Sequence, residues 1–213
     1  MTATASTSSG TNQFPFDFSP YATQDSDFLR QLEFVPGLKE VLTIRQVHAL
    51  EHATVWVLSE LENSATTTAT FHGTSLQNES IGGISTPQGF YLYGSVNPAQ
   101  LQQAVETALQ RITSGEWNLA VHPRCGTNLS VAMTLTAGLA LGINMLLPRR
   151  PIEQLLGIGI AATAATQLAP ELGSLAQKYI TTAIPFNLRL IDISATEDLW
   201  GRPSHFVQLS WIN

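Results

Sequence analysis

LSVAMTLTAGLALGINMLL, Leu129 to Leu147, runs for nineteen residues without a charge, and its reading decides the fold. That length just reaches what an α-helix needs to cross about 30 Å of hydrocarbon. A polar turn, PRRP from Pro148 to Pro151, follows it, and then a second apolar run, LLGIGIAATAATQLA, from Leu155 to Ala169. The second run is shorter and is expected to stop at Pro170 and Glu171, because an interior proline removes a helix hydrogen bond and clashes with the preceding turn. Gly138, Gly142, Gly157 and Gly159 recur along both runs, and small residues let two helices approach closely in lipid. A buried hairpin inside a soluble protein is the competing reading; the charge-free first run favours a hairpin inserted in a membrane.

Composition points the same way. Charged residues make up 12% of the chain and apolar ones 44%, whereas a soluble domain is usually about a quarter charged. A net charge of -6 and a pI near 5.3 argue against nucleic acid as a partner, since phosphate binding needs clustered Lys and Arg. The single cysteine, Cys125, excludes an intramolecular disulfide and suits a reducing compartment. The first twenty residues lack the basic and apolar regions of a secretory signal. Their Thr, Ser and Ala bias predicts a disordered tail over residues 1–22, on which Phe14, Phe16 and Phe18 alternate.

Outward from the apolar runs, the pattern is α+β. Asp25 to Val35 predicts a short helix ended by Pro36 and Gly37. Leu38 to Glu62 predicts a longer one, with Val41, Ile44, Val47, Val55 and Leu58 at helical spacing. TATFHGTSL from Thr68 and GFYLYGSV from Gly89 read as strands, with SIGGISTPQG between them as a loop. Asn97 as an N-cap and Pro98 at the first helical position start a helix whose stripe is Leu101, Val105, Leu109 and Ile112. WNLAVH alternates Trp117, Leu119 and Val121, the signature of a strand delivering His122 at its end. After the hairpin, FNLRLIDIS and HFVQLSWI predict two more strands that join the first ones. The expected fold is therefore a small mixed sheet with helices, divided into an α+β metal-binding domain over 23–128, the apolar membrane hairpin over 129–180, and a C-terminal β-hairpin over 181–213 that completes the domain.

The chemistry lies in RQVHALEHATVWVL, Arg45 to Leu58. Each helical residue advances about 100°, so His48 and His52 project about 40° apart and both rings can reach one ion, while Glu51 falls on the same face. This is the HxxEH order in which two histidines hold zinc and the glutamate activates water. An amphipathic helix with a polar His/Glu edge explains the same five residues. VHPRCGTN, seventy residues later, favours metal: His122 and Cys125 stand three apart in a turn, and both are favoured zinc ligands. If all four donors bind, the site is closed and structural, with Glu51 orienting a histidine. If one stays off, a water can take its place with Glu51 as general base. A helix is expected just after the GTN turn, capped by Asn128, with backbone amides near Gly126 and Thr127 available for an oxyanion. Glu60, His72 and His205 read as ordinary polar residues, and Gly82, Gly83 and Gly89 form no phosphate-binding fingerprint.

HALEH followed by HPRCGTN, with a strand-helix-strand module between and an apolar hairpin after, resembles an uncharacterised cyanobacterial family of predicted membrane proteins. It is more distantly similar to the YqhQ-like family of predicted metal-dependent enzymes. The resemblance spans roughly residues 38–147 and carries over His48, Glu51, His52, His122 and Cys125, without a substrate. The downstream glutamate ligand of inverted zinc proteases has no counterpart here. The expected function is a membrane-associated zinc-dependent hydrolase. The alternative is a non-catalytic assembly or scaffold protein of a membrane complex with a closed His3Cys zinc site. In either case the location is a plasma or thylakoid membrane, with the metal domain on the cytoplasmic side.

Overall fold

The computed structural model describes residues 19–68, 81–94, 96–148, 150–198 and 201–212. Helix α1 covers Gln24–Gln31 and α2 Leu38–Thr68; between them Gly37 takes a positive φ of 80° that turns the chain. Strands β1, Gly82–Thr86, and β2, Gly89–Tyr93, follow. Helix α3, Pro98–Thr113, starts as its sequence dictates: the Asn97 side chain accepts the Ala99 amide and proline sits at the first position. Helices α4, Gly126–Leu146, and α5, Pro151–Ala176, form the apolar pair, and α5 continues into a single π turn, Gln177–Thr181. Strands β3, Leu188–Glu197, and β4, Pro203–Trp211, close the chain.

The sheet order is β1-β2-β4-β3. Every pairing is antiparallel where a mixed sheet was expected. The reason is topological: β1 with β2 and β3 with β4 are hairpins, and α3 together with the apolar pair lies in the long connection from β2 to β3, after which β4 returns beside β2. One sheet face is covered by α2 and α3. Phe90 and Leu92 of β2 and Val207 of β4 pack there against Val47 and Leu50 of α2 and Leu101, Val105 and Ile112 of α3, all fully buried. Side chains of this size contribute about 1.5–3 kcal/mol each when removed from water.

Three expectations are corrected. SIGGISTPQG, read as a loop, is half strand, because β2 offers an unpaired edge that Gly82 to Thr86 fills. WNLAVH is not a strand: Trp117–Ala120 forms a 3-10 turn. Its carbonyls bond to side chains of α2 instead of a ladder, Ala120 to His52 and Val121 to Trp56. Helix α5 does not stop at Pro170. Gly157, Ala161, Ala165, Ala169 and Gly173, buried at intervals of four, hold α5 along α4 through the proline. A close-packed apolar partner thus outweighs the hydrogen bond that Pro170 cannot make. TATFHGTSL beyond Thr68, and His72 with it, lie outside the described residues.

The apolar pair is not the buried hairpin of a soluble core. No residue of α4 is buried, and Met145 and Leu146 are each 85% exposed. Leu129, Leu141, Leu155 and Ile160 also face outward. Both helices are long and apolar enough to cross a membrane.

Candidate metal centre

Helix α2 carries His48, Glu51 and His52 onto one face, and the turn before α4 brings Cys125 to them. One ligand atom from each of His48, His52 and Cys125 lies within 4.8 Å of the others, so the cluster could hold a metal ion. The Sγ of Cys125 is 3.2 Å from Nε2 of His48. From ordinary Zn–N and Zn–S lengths, two donors on one tetrahedral zinc stand about 3.3 to 3.6 Å apart. The Cys125–His48 separation lies close to that spacing.

Hydrogen bonds decide which ring nitrogens face the site. Nδ1 of His52 donates to the Ala120 carbonyl at 2.7 Å, and Nδ1 of His48 to the Thr181 carbonyl at 3.0 Å. Both rings are thereby oriented with Nε2 left for a ligand, as metal-binding histidines usually are. These carbonyls come from the 3-10 turn and the π turn. Neither has a sequence signal.

Cys125 is half-buried and serves as the N-cap of α4, its sulfur accepting the Thr127 amide at 3.4 Å. The helix therefore starts three residues earlier than expected, and that amide is already engaged. Asn128 is inside α4 and does not cap it. Its amide donates to the carbonyls of Pro123 at 2.7 Å and His122 at 3.4 Å, and its Oδ1 accepts from the fully buried Gln177. Gln177 also accepts the His122 amide at 2.8 Å. A Cβ on Gly173 would overlap Asn128. This clamp fixes the HPRC turn against α5.

His122 stands beside the cluster, its ring centroid 5.7 Å from that of His52 and 5.1 Å from Trp56. Its Nδ1 accepts the Arg124 amide at 3.3 Å, which leaves the ring proton on Nε2. Burial, with His52 and Arg124 close by, pushes its pKa down to about 4. It is neutral at physiological pH.

Glu51 is buried and lines the same pocket. Its Oε2 accepts the Ser85 hydroxyl. A Cβ on Gly83 would overlap its carboxylate, so glycine in β1 makes room for it. Burial raises the Glu51 pKa, against the Ser85 hydrogen bond and the nearby histidines. Burial opposes ionisation of Cys125, but hydrogen bonds from His48, His52 and Thr127 outweigh it and bring the thiol down to about 5. Burial likewise opposes charge on His48, and the partnership with Cys125 carries its pKa above the ordinary value. Without metal, the two form a thiolate–imidazolium pair.

Ser85, Gly83, Gln177 and Thr181 were missed by sequence reasoning. Only the Gly82-Gly83 pair offered a hint, since glycine within a strand often marks a close approach. Glu60 lies away from the cluster, paired with Arg111 at 2.5 Å on the surface.

Known proteins bear on this arrangement in one respect. An uncharacterised protein of Picosynechococcus sp. is 56% identical over 194 residues, covering 91% of this chain and 92% of that one. No solved structure matches. The family model described as Domain of unknown function (DUF6391) matches residues 43–193, from the second turn of the histidine helix to the middle of β3. Covering well over half of the sequence, that match means the chain belongs to the DUF6391 family.

Proposed function

We propose that this protein is a membrane-associated zinc-dependent hydrolase in which His48, His52 and Cys125 hold the ion and Glu51 is the general base. The observation that carries the reading is a three-donor cluster facing the same pocket as a buried carboxylate, with no fourth donor in the cluster among the described residues. Catalytic zinc sites take three protein ligands, closed structural ones four. The HxxEH order along α2 supports the same class.

When bound, zinc supplies a Lewis acid and a water that ionises near neutral pH. The residues do the rest. Ser85 holds Oε2 of Glu51 and leaves Oε1 for the proton that water must lose. The raised pKa of Glu51 lets it return that proton to the leaving group, since a base poised closer to neutrality both takes and gives. His122 carries its remaining proton on Nε2, a donor suited to a developing oxyanion.

The exposed apolar faces of α4 and α5 support insertion of the hairpin in a bilayer, alone or within a membrane protein complex. A thiolate ligand favours the cytoplasmic, reducing side for the centre.

The test is elemental analysis of the native protein and of Glu51→Gln, alongside a screen of ester, amide and phosphoester substrates. One zinc per chain in both, with turnover lost by at least ~100-fold in the variant, is the expected outcome. A metal-free native protein would sink the reading. Spectroscopy of the cobalt-loaded protein showing His122 as fourth ligand and no water would move the site to the closed, structural class.

A further inference from the structure

The pocket over the cluster encloses about 640 Å³, within the range of sites that take small organic ligands. The histidines, Glu51, Ser85 and Cys125 supply its polar lining, and Val41, Ile44, Val55, Ile81 and Ile180 its apolar lining. Two of these apolar residues are not buried as core residues would be: Val41 is 55% and Ile180 68% exposed. Val41 belongs to the stripe that the sequence assigns to the core of α2; neither it nor Ile44 is part of that core, and Val41 is the exposed one.

The position of that apolar edge says what it faces. Ile180 lies in the π turn that continues α5 directly, and Cys125 with Gly126 begins α4. The polar ends of both membrane-length helices therefore frame the pocket. If the hairpin lies in lipid, the pocket sits at the surface of the bilayer with Val41 and Ile180 on its lip. Arg45, whose guanidinium donates to the carbonyls of Tyr179 and Thr182, lines the pocket with Arg124. Their charge suits an anionic head or a released carboxylate.

Resting on the hydrolase reading, we propose that the substrate is a membrane-dissolved acyl amphiphile. Its acyl carbonyl reaches the His48–His52–Cys125 cluster while its chain leaves over Val41 and Ile180 into the lipid. Water is the co-reactant: its oxygen joins the acyl carbon, the C–O or C–N bond to the head breaks, and the proton taken by Glu51 passes to the departing alcohol or amine. The products are a fatty acid and the freed head.

The probe is a decanoyl hydroxamate with a diazirine at the chain end, photolysed with the zinc-loaded full chain in lipid nanodiscs. The hydroxamate binds zinc, and no turnover is needed. Adducts are expected in the peptides carrying Val41, Ile44 or Ile180. Excess unlabelled decanoyl hydroxamate should abolish them and acetohydroxamate should not. Val41→Asp and Ile180→Asp, both at exposed positions, should each cut labelling about tenfold with zinc content unchanged. Adducts confined to the outer faces of α4 and α5, or competed equally by acetohydroxamate, overturn the proposal while leaving the zinc hydrolase intact. Pocket labelling that persists in a protein shown to bind no zinc sinks the hydrolase instead and leaves an acyl-binding pocket.

Discussion

At Cys125 the sulfur stands 3.2 Å from the His48 ring, and its pKa of about 5 makes the thiolate the resting form at any pH above that value. An ordinary thiol, ionising near 8.5, loses roughly 20-fold in alkylation rate between about pH 8 and pH 6.5. The metal-free protein is expected to react with iodoacetamide almost equally fast at the two, and zinc should suppress the reaction. A rate that falls as an ordinary thiol's does would dismiss the ion pair. Gly83 makes the complementary case for Glu51. Gly83→Ala should displace the carboxylate and lower kcat by about 100-fold with zinc content kept, whereas Gly82→Ala, with open space around it, should leave both unchanged. At this scale His48, His52 and Cys125 were legible as a group, because His and Cys announce their chemistry by type and spacing, whereas His122, read as a fourth donor, stands beside the cluster. The supports of the cluster were not legible: a backbone carbonyl such as that of Thr181 carries no side-chain signature, and Gln177 is one glutamine among many until the fold buries it.

Between α4 and α5 the fit is close at a few points and loose elsewhere. Gly173→Ala would push against Asn128 and loosen the HPRC turn, and should cost about 1–3 kcal/mol in unfolding measured in detergent. Gly142→Ala, with nothing within 4 Å, should cost nothing, since alanine is the better helix former. Equal effects from the two would show that the clamp does not hold the helices. Helix α3, the strand β2 and the final hairpin could be read in advance, since capping, alternation and turn residues all agreed there. Trp117 to Ala120 misled because alternation also arises where a 3-10 turn buries Leu119 and lends its carbonyls to α2. Pro170 misled for the opposite reason: a local rule was sound, and packing along a stripe of small residues overrode it.

For the whole molecule, the decisive property is where the apolar surface lies. With Met145, Leu146 and Ile152 outside and only small residues buried on α5, the chain is expected to stay with membranes through alkaline carbonate extraction. Recovery in the soluble fraction would remove the bilayer from every argument above. The α+β class and the apolar hairpin were visible in sequence because composition changes abruptly at Leu129; the edge strand β1 was not, since two glycines and a serine have little strand character of their own. The sheet order also sets a schedule for the making of the protein. β2 finds its neighbour β4 only after α4 and α5 have been synthesised, and His48 finds the Thr181 carbonyl only then. A nascent chain halted before Thr181 would contain all three donors and lack the carbonyl that orients His48. The apolar pair is therefore made before the cluster is complete, and the last support of His48 is the last part of the centre to be supplied.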